Sequence, residues 1–396
     1  VKLHVEALED RRVLSTLHVG AHETYHTIAA ALTAAKAGDT IQLKAGVYQE
    51  AVNITKNDIT LRGDKNAVIK APNSVSDMAA NGYSLVQVNG AQRVTLRDLN
   101  INGLYSGGFD TVGNNLLGIH AGIFISHGGS ATIRNNHVTN VRDAVPNNTV
   151  DDGFAILVGS ISTVLNTTGS AVLENNTIDG YQSCGVDVAN TGSIATIRNN
   201  TVVGLGAALG NQYQEQVGIS TEGGGSATVT NNTVSNNVQT TSNIAYAYWF
   251  NDTGSIAVTN NKASGNNYGI VLINVHGGLV ANNDLKGDSH DGIVLFQSSG
   301  VVVLNNNVKD SGGSGISLFS STGNTLLQND VKDSSFDGIY VDSGSTGNLF
   351  FANKVKNSGH VDLDDLSTGS GTAGTGNTWV KNKAKTDNHG GGLGEK

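Results

Sequence analysis

The sequence predicts an all-β fold, a right-handed parallel β-helix solenoid of about twelve to thirteen coils with a short N-terminal capping helix. Three observations predict it. Short Val/Ile strands run into Asn-rich corners, as in Ile133-Arg134-Asn135-Asn136 and Ile197-Arg198-Asn199-Asn200. Gly-Ile pairs sit between the corners, among them Gly122-Ile123, Gly269-Ile270, Gly292-Ile293, Gly315-Ile316 and Gly338-Ile339. The second corner Asn, from Asn136 to Asn382, recurs after 40, 24, 32, 29, 22, 23, 23, 24 and 29 residues. A period near 23 leaves no room for helical crossovers; it fits one turn of three short strands and three corners. Asn tolerates left-handed corner conformations, and its amide can bond to the next Asn in a ladder.

Composition agrees. The 396 residues include 51 Gly but only 2 Pro, with 14% charged and 38% hydrophobic side chains. Gly, Asn, Ser and Thr form helices poorly, while the regularly spaced Val, Ile and Leu supply a core. The net charge of -9 argues against nucleic acid as a partner. No run of apolar residues is long enough to span a membrane. Cys184 is the only cysteine, so no intrachain disulfide forms. Met78 is the only methionine, so Val1 is read as not being the native start.

In chain order, residues 1–22 read as a leader and residues 23–386 as a single β-helix domain. Within the latter, Ile28, Ala31, Leu32 and Ala35 fall at helical spacing, predicting a capping helix at about 23–37 that covers the open apolar end. Loop-decorated coils follow over 40–260 and regular coils over 261–386. The tail 387–396 reads as flexible. Insertions stretch the early coils at 72–90, 103–121, 139–152, 159–169, 205–217 and 236–254. Stacked coils place such loops side by side, where they wall a lateral groove.

The opening of the domain resembles that of the pectate-lyase-type family of right-handed parallel β-helix proteins. The resemblance rests on Tyr25-His26-Thr27-Ile28, Gly38-Asp39-Thr40-Ile41, Gly46-Val47-Tyr48 and Ile59-Thr60-Leu61-Arg62-Gly63. That scaffold serves lyases, hydrolases, epimerases, periplasmic accessory proteins and adhesins. The stretch Leu8-Glu9-Asp10-Arg11-Arg12-Val13-Leu14-Ser15 resembles an N-terminal sequence of exported planctomycete proteins; it implies a secreted or cell-surface protein. The alginate-epimerase Asp-Pro-His-Glu motif and the polygalacturonase Gly-His-Gly motif are both absent, and Asp151-Asp152 matches only the latter family's acidic pair.

Candidate chemistry is therefore read from the residues of the decorated coils. Asp151, Asp152, Asp187, His120 and His127 are the catalytic candidates; His137 is a further candidate base. Arg142, Tyr181, Glu215 and Glu222 are substrate-binding candidates. Asp151, Asp152 and Asp187 are also candidate Ca2+ ligands, since carboxylates suit that hard cation. No organic cofactor is expected. The stacked equivalents of Asp187 are read as Phe124, Ala155, Ser220, Val271, Val294, Ser317 and Tyr340. Asp291-Gly292 and Asp337-Gly338 read as corner chemistry, with His290 a minor candidate. Asp362, Asp364 and Asp365 are a second calcium candidate, although their spacing fits no known loop. Lys286, Lys309, Lys332, Lys356 and Lys385 each follow a corner Asn by three residues, as a column suited to a polyanionic glycan or simply a solubilising face.

The leading expectation is a carbohydrate-active enzyme acting on an acidic, uronic-acid-containing polysaccharide by β-elimination or C5-epimerisation. Such chemistry needs a base at C5 and neutralisation of the C6 carboxylate. Two alternatives stay open: a non-catalytic surface or carbohydrate-binding protein, and a glycoside hydrolase using paired carboxylates. The oligomeric state is not fixed by the sequence; a monomer is expected.

Overall fold

Every coil is closed by the same local chemistry. The first Asn of each corner takes the left-handed conformation, with φ of 55° at Asn135, 56° at Asn175 and 57° at Asn199. The second Asn is buried and builds the ladder. Asn283 Nδ2 donates to Asn306 Oδ1 at 2.9 Å and to Val258 O at 2.9 Å, while the Asn283 N–H donates to Asn306 Oδ1 at 3.0 Å. The pattern runs unbroken from Asn136 to Asn382. Gln328, Ala352 and Lys381 replace the first Asn and still hold positive φ. The coil imposes that conformation; the buried amide is what the corner requires.

The computed structural model describes residues 14–105, 110–112, 115–117, 120–143, 153–162, 165–207, 215–240 and 245–395. Three parallel sheets run along the solenoid. Among the described residues, sheet A has 14 strands, and sheets B and C have 12 each, with a small two-stranded sheet besides. Sheet A precedes the Asn corner, sheet B follows it, and sheet C carries the Gly-Ile pairs. At one strand rise per coil the solenoid is about 60 Å long. A single interior column of sheet A runs from Leu17 through Ile41, Leu61, Leu96 and Ile133 to Phe350 and Trp379. All of these are buried. Each such side chain contributes roughly 1.5–3 kcal/mol by leaving water.

Both ends are covered. The helix α1 (Ile28–Ala34) is N-capped by Thr27 Oγ1, which accepts from Ala30 N at 3.1 Å, and buries Ile28, Ala31 and Leu32. The first strand is Thr16–Val19, paired with Thr40–Leu43; the solenoid thus begins inside the segment read as a leader. Residues 1–13 of that leader, with most of the export-like stretch, lie outside the described residues. At the other end, Lys383 bridges to Glu395 and Leu363 to Asp387, and Leu393 is buried. The segment read as a flexible tail folds back onto the last coil.

The insertions emerge together. All but 159–169 join a strand of sheet B to the next strand of sheet C. Their described ends therefore lie along one edge of sheet C. The lysine column lies on sheet B, with Lys286, Lys309, Lys332 and Lys356 in register.

Candidate functional site

Sheet C presents one row of outward side chains to that loop-bearing edge. In register they are Gln87, Phe124, Leu157, Asp187, Ser220, Trp249, Val271, Val294, Ser317, Tyr340 and Asp364. This corrects the sequence alignment at two coils. Leu157, not Ala155, stacks on Asp187, because Gly153-Phe154 is offset from the other Gly-Ile pairs. Trp249 enters the row from a coil where Ala247 stands in the place of the glycine.

Among the described residues, those singled out in the decorated coils do not converge. Asp151 and Asp152 lie outside the described residues. His120 and His127 sit at opposite ends of the strand Ala121–Ser126, about 20 Å apart along an extended chain. Glu215 precedes the strand Gln216–Glu222 and Glu222 ends it, which separates them by a similar length. Asp187 is only 2% exposed, and its Oδ1 accepts from Ser220 Oγ at 2.6 Å. His120 is buried between the rings of Phe124 and Phe154. Burial lowers its pKa to about 4, so it is neutral in the fold. Tyr181 is corrected outright: it is a core residue, with its hydroxyl bonded to Asn237 inside the solenoid. A substrate-binding role needs the side chain in the groove, but the coil turns it inward. Arg142 lies on sheet B, and His137 is held at its far corner by Asp179 Oδ2 at 2.7 Å.

Further along the same face, aromatic rings form a continuous row. Tyr246 stacks on Trp249 with centroids 6.1 Å apart, Tyr268 follows at 5.5 Å from Tyr246, and His290 at 4.8 Å from Tyr268. The Trp249 Nε1–H is shielded from water and has no hydrogen-bond partner among the described residues.

The row ends at a cleft of about 460 Å³ lined by Asp291, Ser314, Ser317, Phe319, Phe336, Asp337, Tyr340, His360 and Asp364. Register explains the convergence. Asp291, Ser314 and Asp337 each stand two residues before the first residue of a sheet C strand, in successive coils. Asp291 accepts from Ser314 N at 2.8 Å and Ser317 Oγ at 2.7 Å. Asp337 accepts from Val361 N at 3.2 Å and pairs with His360 Nδ1 at 2.8 Å. Asp364 carries no hydrogen bond to its carboxylate among the described residues, although it is 6% exposed. Burial pushes the Asp291 and Asp364 carboxyls above the usual range, with Asp337 adding to both. Burial and nearby carboxylates also raise Tyr340, so it keeps its proton at neutral pH. Among the described residues, no Lys or Arg lines the cleft.

Sequence reading missed this cleft for a stateable reason. The Gly-Ile alignment stopped at Gly338-Ile339, because in the next coil Asp362-Leu363 takes that position. Extending the register by one coil would have set Asp364 outward beside Tyr340. The calcium reading of Asp362, Asp364 and Asp365 is corrected by the same alternation. Asp365 points inward and accepts from Trp379 Nε1 at 2.8 Å, and Asp362 accepts from the N–H groups of Ser358 and Lys385.

Known proteins share this fold. The sequence model of the right-handed β-helix region matches residues 48–245, half of the chain. The chain belongs to the right-handed β-helix family. A second model, that of the periplasmic copper-binding protein NosD, matches residues 212–392 of this β-helix protein, a span that holds both the aromatic row and the cleft. No curated protein matches it in sequence. Among solved structures it is similar to a mutant of the periplasmic alginate epimerase AlgG, at 12% identity over 88% of this chain and 77% of that chain, TM-score 0.55. XylC in complex with xylose is 13% identical over 83% and 76%, TM-score 0.55. The catalytic unit of a GH87 α-1,3-glucanase from Streptomyces thermodiastaticus is 14% identical over 93% and 65%, TM-score 0.57. At such identities the likeness is one of fold. Among the described residues, no helix is long and apolar enough to cross a membrane.

Proposed function

We propose that this β-helix protein is an exported carbohydrate-active enzyme that holds a polysaccharide along the outer face of sheet C and acts on it at the Asp291–Tyr340 cleft. The carrying observation is the aromatic row from Trp249 to His290, which leads directly into the carboxylates. Stacked rings offer flat apolar faces to sugar rings. The β-helix relatives named periplasmic support export.

The reaction favoured is β-elimination or C5-epimerisation of a uronic-acid unit. Asp291, ordered by Ser314 and Ser317, takes the C5 proton. In elimination the C4–O4 bond breaks, a C4–C5 double bond forms, and the leaving oxygen takes the phenolic proton of Tyr340. In epimerisation Tyr340 returns a proton to the opposite face of C5. An acidic sugar among three aspartates requires a positive charge beside its carboxylate; His360 supplies one when protonated.

One observation favours a second reading. Donor atoms of Asp337 and Asp364 lie within 4.8 Å of each other, and the Asp364 carboxyl is pushed up. An acid paired with a carboxylate suits hydrolysis of a neutral glycan. One assay separates the readings: ultraviolet absorbance of unsaturated products and uronate epimer content on pectate, alginate and glycosaminoglycans, beside reducing ends from neutral glucans. Unsaturated product or epimer change, lost in Asp291→Asn, supports the first reading. Reducing ends alone overturn it in favour of hydrolysis, and binding without any product makes the protein non-catalytic.

A further inference from the structure

Asp337, His360 and Asp364 bring unlike donors from two successive coils to one point. One carboxylate oxygen of each aspartate and one imidazole nitrogen lie within 4.8 Å of one another. The two aspartates are 3% and 6% exposed, while His360 stands at the open side. The Asp364 carboxylate is the telling group. It faces the cluster, it is more than nine-tenths buried, and it accepts no hydrogen bond among the described residues. A buried carboxylate left in that state is costly unless a cation or a proton joins it.

The backbone makes the arrangement stiff. Asp364 lies in the strand Leu363–Asp365, in register with Tyr340 of Ile339–Val341, and Asp337 stands two residues before the latter strand. Only Asp364 stands on a strand; Asp337 and His360 lie in the turns that lead into Ile339–Val341 and Leu363–Asp365, and coil stacking sets these turns one above the other.

We infer that Asp337, His360 and Asp364 form a binding site for one divalent transition-metal ion of the Zn2+ type, with an open position towards the cleft. The donor set selects the ion. Ca2+ takes six to eight oxygen ligands, and here one of three donors is an imidazole. One imidazole with two carboxylates suits zinc and its neighbours, which accept three protein ligands and leave a further position free. Bonds of about 2.0–2.1 Å in a tetrahedron want donors roughly 3.4 Å apart. The donor separations must therefore close by up to about 1.4 Å, shared among three side chains and within reach of small χ adjustments. Binding replaces the His360 Nδ1–Asp337 Oδ1 contact with bonds to the ion. The ion's use rests on the polysaccharide reading, where it neutralises a uronate carboxylate; the site itself rests on the three side chains.

The test uses the full chain and no sugar. Zn2+ is titrated by calorimetry, and Co2+ is added as a spectroscopic probe. The expected result is one Zn2+ per chain at micromolar affinity or tighter, with a visible Co2+ absorption band. Both signals weaken by about tenfold or more in Asp364→Asn and in His360→Gln; the second variant alters an exposed side chain and leaves the fold intact. Millimolar Ca2+ does not compete. Absent Zn2+ binding, binding unchanged in both variants, or Ca2+ binding more tightly than Zn2+ would each overturn the site. Metal binding without turnover on any glycan overturns the enzymatic reading alone.

Discussion

His360 Nδ1 lies 2.8 Å from Asp337 Oδ1, a contact between two coils that are adjacent in the stack but 23 residues apart in sequence. Asp337 also takes the Val361 N–H. The pair fixes the floor of the cleft. Asp337→Ala should lower turnover about a hundredfold or more if the cleft is the reacting site, with far-ultraviolet circular dichroism unchanged. Normal turnover in a folded variant would move the chemistry elsewhere on sheet C.

The aromatic row makes a length-dependent prediction. Trp249 and Tyr268 lie one coil apart on either side of Tyr246 contacts. Trp249→Ala and Tyr268→Ala should each weaken binding of long oligosaccharides about tenfold, or roughly 1.4 kcal/mol. Short oligosaccharides that fill only the cleft should bind as before. Affinity electrophoresis with graded chain lengths reads the difference; equal losses at every length would count against a chain-binding track.

A pH-dependent cost sits in the corner between sheets B and C. There the amide ladder Asn237–Asn266 ends on Asp288, whose Oδ1 accepts from Asn266 N and Nδ2 at 3.0 Å each. Its Oδ2 is buried and unbonded among the described residues. Burial raises its pKa to about 6 from an ordinary 3.8. The folded state therefore holds this proton more tightly than the unfolded state. The stabilisation is complete below pH 3.8 and is lost as pH rises through 6. Asp288→Asn removes that loss and extends the ladder. The expected gain is up to about 3 kcal/mol at pH 8 and well under 1 kcal/mol near pH 4. Denaturant unfolding at both pH values checks it.

The main ladder should be intolerant. Asn306 accepts from Asn283 and donates to Val280 O and Asn329 Oδ1. Asn306→Ala strands buried groups on both neighbouring coils, at a cost of about 3–5 kcal/mol. Asn305→Ala, at the left-handed position, should cost much less, since Ala352 already holds that conformation at φ 54°. Thermal unfolding of the two variants reads the contrast, and equal losses would refute the division of roles.

The fold was legible because a solenoid repeats its chemistry. Each Asn pair and Gly-Ile pair carried its own physical reason, and the corner spacing carried the coil length. Even the common edge of the insertions followed from their places between strands. The site was less legible, and the reasons are particular. Tyr181 and Tyr268 are the same residue type, yet one is core and the other lines the outer face; only the local turn decides. Asp187 sat in a recognisable row, but its burial under neighbouring side chains does not show in a repeat. Trp249 and Asp364 were hidden because Ala247 and Asp362 replace the glycine that marked the other coils.

By itself, then, the sequence determined the three-strand coil, its buried amide ladder and its outward row, since these depend on residues close in sequence and on a near-constant period. Only the tertiary structure decided that Asp291, Asp337, His360 and Asp364 meet, and that Asp365 beside them does not. Coil stacking converts a 23-residue separation into one strand spacing of about 4.8 Å. A single missing glycine in the pattern is enough to hide which side chains that spacing brings together.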